Sequence, residues 1–319
     1  MILTLTPNPS HDRTVTLGEP LQRGAVQRAE SVVSQAGGKG VNISRASVAA
    51  GIPTIAVVPA DRDDPFVVEL LTAGIDCRPV PPAAGGLRVN ITISEPDGTT
   101  TKLNSPGPVA TQEVLDDLAT SLHHRAGAAD WVVLAGSLPP GTPDGWYADL
   151  VEALRDTGAS VAVDTSDEPL RVLVSRLPRS APHLMKPNAE ELASFTGTEA
   201  ARLEADPAAA AAAAGTLVDR GVAVVLATLG ARGAVLVTAQ GAWHAEPPPV
   251  EVVSTVGAGD SSLFGYLLGE IRGLPAPERL ALAVAYGSAA ASLPGTTIPR
   301  PNQVRPDLVT VHDLSLTGV

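Results

Sequence analysis

Short runs of apolar, often β-branched residues alternate with longer amphipathic or alanine-rich segments along the whole chain. A strand buried on both faces of a sheet has a nearly continuous apolar sequence, and parallel strands need a crossover segment between them. The alternation therefore predicts an α/β fold, with a mostly parallel central sheet covered by helices on both faces. The predicted strands lie at 2–6, 54–58, 131–135, 160–164, 183–185, 222–228 and 233–238.

Local signals support the helices between these strands. In the segment ADPAAAAAAAGTLVDRG, Asp206 can cap the first free amides and Pro207 suits the first helical position. Gly221 can end the helix in a left-handed conformation. The alanine-rich segment is therefore predicted to be a surface helix.

Two segments, about 13–32 and 87–104, interrupt the alternation. Both have the alternating pattern of strands, and Asp97–Gly98 in the second is a strong hairpin signal. Neither segment has the pattern of a helix. They can pair into a small accessory sheet beside the main one, which is either a lid over a ligand or a passive surface hairpin.

The acidic composition limits the partners. The chain has 319 residues, 44% of them hydrophobic, so it can bury a large core; its net charge is −12 and its pI about 4.9. A nucleic-acid partner would be repelled unless basic residues were clustered, and the sequence has no basic run. An anionic substrate would need locally focused cations. Only three lysines are present, Lys39, Lys102 and Lys186, which makes each a candidate for a specific role.

Other features bear on the compartment and on metals. The single cysteine, Cys77, cannot form an internal disulfide, and no CxxC or HExxH pattern suggests zinc. No apolar run approaches the roughly 20 residues of a membrane span, and the first residues do not have the pattern of a signal peptide. These features predict a cytoplasmic protein without a membrane partner.

The strongest candidate for chemistry is the segment STVGAGDSS. Gly257 and Gly259 free the backbone before an apolar helix, so helix-start amides can bind an anion. Asp260 can then face an acceptor hydroxyl and take its proton while the amides hold a transferring phosphoryl group. The alternative is that Asp260 only caps the helix. The segment is not a dinucleotide fingerprint, because Ser262 replaces the third glycine of GxGxxG.

A second candidate is AGGKGVN. Gly37 and Gly38 allow close backbone approach, Lys39 supplies a cation, and the amide of Asn42 can bind hydroxyls. The segment is not a Walker A loop, because Gly40 follows the lysine, and it can also be a simple turn.

Two further segments carry polar residues at useful places. Asp12 follows the first strand, where an α/β fold binds ligands, so it can hold sugar hydroxyls or stabilise a loop. In MKPNAEEL, Asn188 and Glu191 are three residues apart and can hold Mg²⁺ through its waters. The six histidines form no convincing triad.

Seven segments in order resemble the ribokinase-like family, specifically its phosphofructokinase-B branch. The resemblance covers nearly the whole chain, and seven motifs in order are far more specific than one. They are TPNPSHD, AGGKGVNISRA, AGSLPPG at 135–141, VDTS at 163–166, KPNAEEL, TLGARGA at 228–234 and PPPVEVVSTVGAGDSS.

The resemblance implies a single domain over 1–319, with three α/β/α layers and a β lid made of the two excursions, which also forms a homodimer interface. It implies ATP and Mg²⁺ as cofactors, Asp260 as catalytic base, and Gly257, Ala258 and Gly259 as the anion hole. The implied phosphosugar residues are Asp12, Gly38, Lys39, Asn42, Arg88, Lys102 and Ser137. The implied nucleotide residues are Lys186, Asn188, Thr228, Gly230 and Gly233, with Glu191 at the metal.

The asparagine of TPNP and the lysine of AGGKGVN are similar to 1-phosphofructokinases and tagatose-6-phosphate kinases. The reaction expected first is phosphorylation of fructose 1-phosphate to fructose 1,6-bisphosphate, with tagatose-6-phosphate kinase or 6-phosphofructokinase as alternatives. His11 departs from the pattern, since an aromatic or aliphatic residue often precedes the aspartate. A non-catalytic sugar or nucleotide sensor and a nucleotide-dependent oxidoreductase are the competing classes.

Overall fold

A computed structural model describes residues 1–82 and 85–314, so Ala83, Ala84 and 315–319 of the expected 1–319 domain lie outside the described residues. The main sheet has ten strands in the order β14-β13-β12-β11-β10-β9-β8-β1-β4-β5. Its strands are β1 Ile2–Leu5, β4 Thr54–Pro59, β5 Asp76–Val80, β8 Trp131–Ala135, β9 Ser160–Asp164, β10 Leu184–Met185, β11 Val224–Thr228, β12 Ala234–Thr238, β13 Gly241–Glu246 and β14 Thr310–Asp313.

The pairing is parallel from β5 to β11 and antiparallel from β11 to β14. This confirms the mostly parallel sheet. Strand order reverses at β1, which pairs with β4 on one side and β8 on the other. Ligands of open α/β sheets bind at such a switch point, beyond the carboxyl ends of the strands.

Helices cover both faces of this sheet, which confirms the three layers. Ten α-helices lie within the described ranges: α1 Lys39–Ala49, α2 Pro65–Thr72, α3 Gln112–Ala126, α4 Trp146–Ala153, α5 Asp167–Ser175, α6 Ala189–Thr196, α7 Ala200–Ala205, α8 Pro207–Val218, α9 Ala258–Ile271 and α10 Ala276–Ala291. One face buries apolar residues of α3 to α8, and the other buries those of α1, α2, α9 and α10.

The predicted alanine-rich helix is present as α8. The Asp206 side chain accepts hydrogen bonds from the amides of Ala208 and Ala209, and Pro207 is the first helical residue. The helix ends at Val218, and Gly221 follows it with a positive φ of 101°.

The two interrupting segments form a separate four-stranded sheet, here called the lid sheet, in the order β3-β2-β6-β7. The strands are β2 Ser10–Leu17, β3 Ala29–Gly37, β6 Arg88–Ser94 and β7 Thr100–Asn104. Strand β2 pairs antiparallel with β3 and parallel with β6, and the predicted turn at Asp97–Gly98 joins β6 to β7. No helix among the described residues is long and apolar enough to cross a membrane.

Candidate active site

Asp260 lies in the first turn of α9, buried to 7% exposure. Its Oδ2 accepts a hydrogen bond of 2.8 Å from Nδ2 of Asn42, which lies on α1. The N-cap of α9 is Gly257, and no side chain caps that end. The contact with Asn42 therefore orients the Asp260 carboxylate, and the capping alternative does not describe its position.

Asp164 connects the two lysines of the site. It ends β9, is fully buried, and places Oδ1 2.9 Å from Nζ of Lys39 and Oδ2 3.4 Å from Nζ of Lys186. The Lys186 side chain is 4% exposed and that of Lys39 is 35% exposed. Lys39 can therefore reach a ligand from solvent, whereas Lys186 is held inside the site.

The glycines at the start of α9 have different tasks. Gly257 has a φ of 76°, a left-handed value that favours glycine, and it precedes the first helical residue, Ala258. Gly259 lies inside the helix, not before it as the sequence suggested. A Cβ there would lie 3.2 Å from Nζ of Lys186. The glycine therefore brings first-turn amides, which lack helical acceptors, close to a lysine ammonium.

Burial and the clustered charges shift three pKa values. Burial raises the pKa of Asp260, and Lys39 opposes that shift only in part. Burial also acts to raise the pKa of Asp164, but Lys186 and Lys39 outweigh it and lower that pKa. Burial acts to lower the pKa of Lys39, but the nearby carboxylates of Asp164 and Asp260 together have the larger effect, so the pKa of Lys39 is raised. Asp164 is thus the permanent anion, and Asp260 is the carboxylate better suited to accept a proton.

Asp12 lies on the lid sheet rather than in a loop. Its Oδ1 accepts hydrogen bonds from Oγ of Ser10 at 2.7 Å and from Nδ2 of Asn90 at 3.0 Å. A Cβ at Gly37 would lie 2.1 Å from its Oδ2, so the glycine makes room for the carboxylate. The lid sheet therefore holds this carboxylate in a defined orientation.

A cavity of about 470 Å³ lies beside the loops that follow β8 and β9, and the lid sheet contributes Arg88 to it. Asn8, Arg88 and Ser137 line it together with three carboxylates, and Nδ2 of Asn8 lies 3.4 Å from Oγ of Ser137. The carboxylates are those of Asp144, Asp167 and Glu168. Asp260 is not part of this lining. The cavity is thus separate from the Asp260 carboxylate.

Four buried polar atoms around these residues have no hydrogen-bond partner within the described structure. Buried polar groups are normally paired, because an unpaired one costs about 1–3 kcal/mol. A polar ligand would provide the missing partners. The atoms are Oδ1 of Asn8, Oδ1 of Asn42, Nε of Arg88 and Oδ1 of Asn90.

Lys102 lies on β7, an edge strand of the lid sheet. It is exposed and is paired with Thr92 of β6. Asn90 of β6 is paired with Asp12, and paired residues share a face of a sheet. Every second residue of β6 lies on that face, so Arg88 and Thr92 share it, and so does Lys102, the partner of Thr92. Gly38, with a φ of 132°, precedes α1 and packs against Thr6, where a Cβ would lie 2.6 Å from Cγ2 of Thr6.

The predicted nucleotide residues form a second group. Asn188, which follows β10, forms an isolated parallel β-bridge with Thr228, the last residue of β11. Gly230 and Gly233 have positive φ values of 54° and 85°, and a Cβ at Gly233 would collide with the carbonyl of Ala245. The turn after β11 therefore requires glycine at Gly233.

Asn188 and Glu191 form a capping box at the start of α6. Oδ1 of Asn188 accepts from the Glu191 amide, and Oε2 of Glu191 accepts from the Asn188 amide, both at 2.8 Å. Burial raises the pKa of Glu191. No group of three or more potential metal-binding side chains occurs in the described part of the chain. One oxygen of Glu191 remains for a metal, which fits Mg²⁺ held mainly by water and phosphate oxygens.

Comparisons with known proteins identify relatives of this chain. Residues 9–303 match the pfkB family of carbohydrate kinases. The chain belongs to this family. It is 36% identical to a 1-phosphofructokinase of Haloferax volcanii over 300 residues, covering 94% of this chain and 93% of the relative.

Solved structures show the same fold. Phosphofructokinase-2 from Escherichia coli in complex with substrates and products is 28% identical, with a TM-score of 0.87 over 96% of this chain and 99% of that one. Arabidopsis thaliana ribokinase, at 21% identity, has a TM-score of 0.71 over 96% of this chain and 97% of its own. The fold is ribokinase-like, and this pfkB protein is a phosphotransferase that acts on a sugar alcohol group. The sensor and oxidoreductase alternatives find no support.

Sequence reasoning missed two residues of this site. Asp164 lies within the recognised segment VDTS, and a lone aspartate at the carboxyl end of an apolar strand is a usable signal. Asn90, on β6, binds Asp12 from the neighbouring strand. The sequence gives little indication of this role for Asn90, because any half-exposed strand has polar residues at alternate positions.

Proposed function

We propose that this pfkB kinase transfers the γ-phosphoryl group of ATP to the 6-hydroxyl of fructose 1-phosphate, giving fructose 1,6-bisphosphate. The observation that carries the proposal is the convergence of the buried Asp260 carboxylate, the first-turn amides of α9 and Lys186. A base and an anion-binding group close together are what in-line phosphoryl transfer requires. The 36% identity to a 1-phosphofructokinase supports the choice of sugar.

In this reaction Asp260 accepts the proton of the acceptor hydroxyl. Asn42 holds the carboxylate in place, and the raised pKa of Asp260 makes it a better base than an exposed aspartate. The amides of Ala258 and Gly259, preceded by Gly257, stabilise the charge that develops on the transferring group. Asp164 keeps Lys186 beside that site.

The sugar phosphate lies between the lid sheet and the main domain. Asp12, Asn42 and the backbone at Gly38 bind its hydroxyls, with Lys39 beside them. Because Asp144, Asp167 and Glu168 also line the cavity, we place the existing phosphate at Arg88 and Ser137, where the unpaired Nε of Arg88 provides a charge-assisted donor. Lys102 on the same lid face adds a second cation if the lid sheet closes.

ATP occupies the opposite side, near Lys186, Asn188, Thr228 and the turn of Gly230 and Gly233. Mg²⁺ would be bound by the free oxygen of Glu191 and would neutralise phosphate charge when present. The single, buried cysteine also supports a cytoplasmic location.

A substrate screen tests the reaction. With ATP and Mg²⁺ in excess, we expect the highest kcat/KM for fructose 1-phosphate, ahead of fructose 6-phosphate and tagatose 6-phosphate. Fructose itself should react at least about 100-fold less efficiently, because the Arg88 cavity would be left unfilled. ADP release is the readout. A preference for a 6-phosphate overturns the sugar assignment, and equal use of free fructose overturns the phosphate role of Arg88.

We also propose that two copies of the chain dimerise through the lid sheet. Its face opposite Asp12 carries Val15, Val32, Ile91, Ile93 and Leu103, and Val32 and Leu103 are 60% and 55% exposed. An exposed apolar sheet face is typical of a protein interface.

Neighbouring valines provide a matched test of this interface. Val32 and Val33 are 60% and 58% exposed but lie on opposite faces of β3. We expect Val32→Asp to convert a dimer to a monomer, because a buried unpaired charge opposes association, and Val33→Asp to leave the dimer intact. Light scattering after gel filtration measures the mass. A monomeric wild type, or dissociation by both variants alike, contradicts this interface.

A further inference from the structure

A second groove, of about 330 Å³, crosses the edge of the main sheet. It lies at β5, the last strand, between α2 on one face and α3 on the other. None of the residues assigned to the active site lines it. The groove is therefore a separate cavity, which the proposed reaction does not use.

Three arginines line this groove, although the chain has a net charge of −12. Arg62 lies between β4 and α2, Arg78 on β5 and Arg125 in the last turn of α3. The lining contains no carboxylate. Asp76, outside the lining, pairs with Arg78 at 2.8 Å, but both side chains are about half exposed, so this pair is weak.

The arginines retain donors for a ligand. One nitrogen of Arg125 donates to the carbonyl and hydroxyl of Ser121 on its own helix. Arg62 has no ion-pair partner in the described part of the chain, and the adjacent Asp61 and Asp63 do not line the groove. Each guanidinium has five N–H donors. Most of this donor capacity faces no protein acceptor.

The remaining walls are apolar and neutral. Val67 and Leu71 come from α2 and Pro79 from β5. Burial raises the pKa of the Cys77 thiol to about 11, so the thiol adds no negative charge. Pro79 lacks an N–H and interrupts the edge of the sheet, which disfavours addition of a strand from another chain. The groove thus favours a small molecule with an anionic group and a short carbon skeleton.

We infer that this groove binds a small phosphate ester. Arginine forks match the oxygens of a phosphate group, and three of them can neutralise its double charge. The volume of 330 Å³ is near the lower end of the range for ligand pockets, about 300–1,000 Å³, which suits a three- to four-carbon ester better than a nucleotide.

Helix α2 connects the groove to the lid sheet. Asp64, the N-cap of α2, lies 3.2 Å from Nε2 of His11 on β2, next to Asp12. Glu69 on the same helix accepts a 2.8 Å hydrogen bond from the amide of Ala36 on β3. A ligand that moves α2 would therefore move the lid strand that carries Asp12. Occupancy of the groove should change the KM for the sugar phosphate and not that for ATP.

Calorimetry tests the site with the active site already filled. The protein is saturated with the preferred sugar phosphate and a non-hydrolysable ATP analogue, then titrated with glycerol 3-phosphate, 3-phosphoglycerate or malonate. We expect a phosphate ester to bind one site with a Kd below about 1 mM, and the double variant Arg78→Gln/Arg125→Gln to weaken it at least about tenfold. Arg171→Gln, which breaks an exposed ion pair with Glu168 on α5, is the control.

Three outcomes overturn the site: no binding of either ester, binding of malonate alone, or affinity that the double variant leaves unchanged. The steady-state readout tests the connection through α2. The bound ester should change the KM for the sugar phosphate at least about twofold in the wild type and not in the double variant. Binding without that change, or with an equal change in the KM for ATP, overturns the connection to the lid sheet.

Discussion

Asp260→Asn is expected to lower kcat by about 10³-fold or more while the protein folds normally and binds ATP. The amide cannot accept the proton of the acceptor hydroxyl, yet it has nearly the same size and can still contact Asn42. Turnover is measured by ADP release, and ATP affinity by calorimetry. Glu113→Gln, at a first-turn carboxylate that is exposed on α3, is the matched control and should leave kcat unchanged.

The pH profile gives a second test of the same base. Burial raises the pKa of Asp260, and only the ionised carboxylate can accept a proton. The kcat/KM of the wild type should therefore fall as the pH decreases through this raised pKa, and the residual rate of Asp260→Asn should lack that acidic limb. Near-normal turnover in Asp260→Asn would exclude this residue as the base.

Asp164→Ala is expected to reduce the free energy of unfolding by about 3–5 kcal/mol, because it leaves Lys186 charged and buried without its partner. A loss of that size is within the usual stability of about 5–15 kcal/mol, so the variant should still fold. Urea unfolding at pH 7 measures the difference. Asp149→Ala, which breaks the exposed pair with Arg176, should cost less than about 1 kcal/mol.

The sign of the pH dependence follows from the lowered pKa of Asp164 in the folded protein. Its stabilising contribution is complete above the unfolded value of about 3.9 and is lost as the pH falls through the lower folded value. The difference between wild type and Asp164→Ala should be constant from pH 6 to 8 and shrink below about pH 4. A difference no larger than that of Asp149→Ala would contradict the role of Asp164 as the shared anchor.

The strands that could be predicted from the sequence are those buried on both faces of the sheet. Strands β1, β4, β8, β9, β10, β11 and β12 were predicted because both of their faces are covered and their apolar runs are continuous. Strands β5, β13 and β14 were missed. Their sequences DCRPV, GAWHAE and TVHD mix charged and small residues, because β5 and β14 are the two edges and β13 pairs with β14.

The candidate site was predicted as segments rather than as contacts. Asn42 was expected to bind hydroxyls, but the contact of its amide nitrogen with Asp260, 218 residues away, was not predicted. Asp164 and Lys39 are 125 residues apart. The local sequence indicates where helices begin, where turns lie and where strands end. Which distant side chains come into contact depends instead on the order of the strands in the sheet. Strands β1 and β8, for example, are neighbours only because the order reverses at β1.

The parallel pairing of β2 with β6 has a consequence for the order of folding. Ser10 is paired with Arg88, so the centre of the lid sheet requires closure of a long loop before its first hydrogen bond can form. Contacts of such sequence separation form slowly. A nascent chain therefore carries Asp12 on an incomplete sheet until β6, which supplies Asn90, has been synthesised.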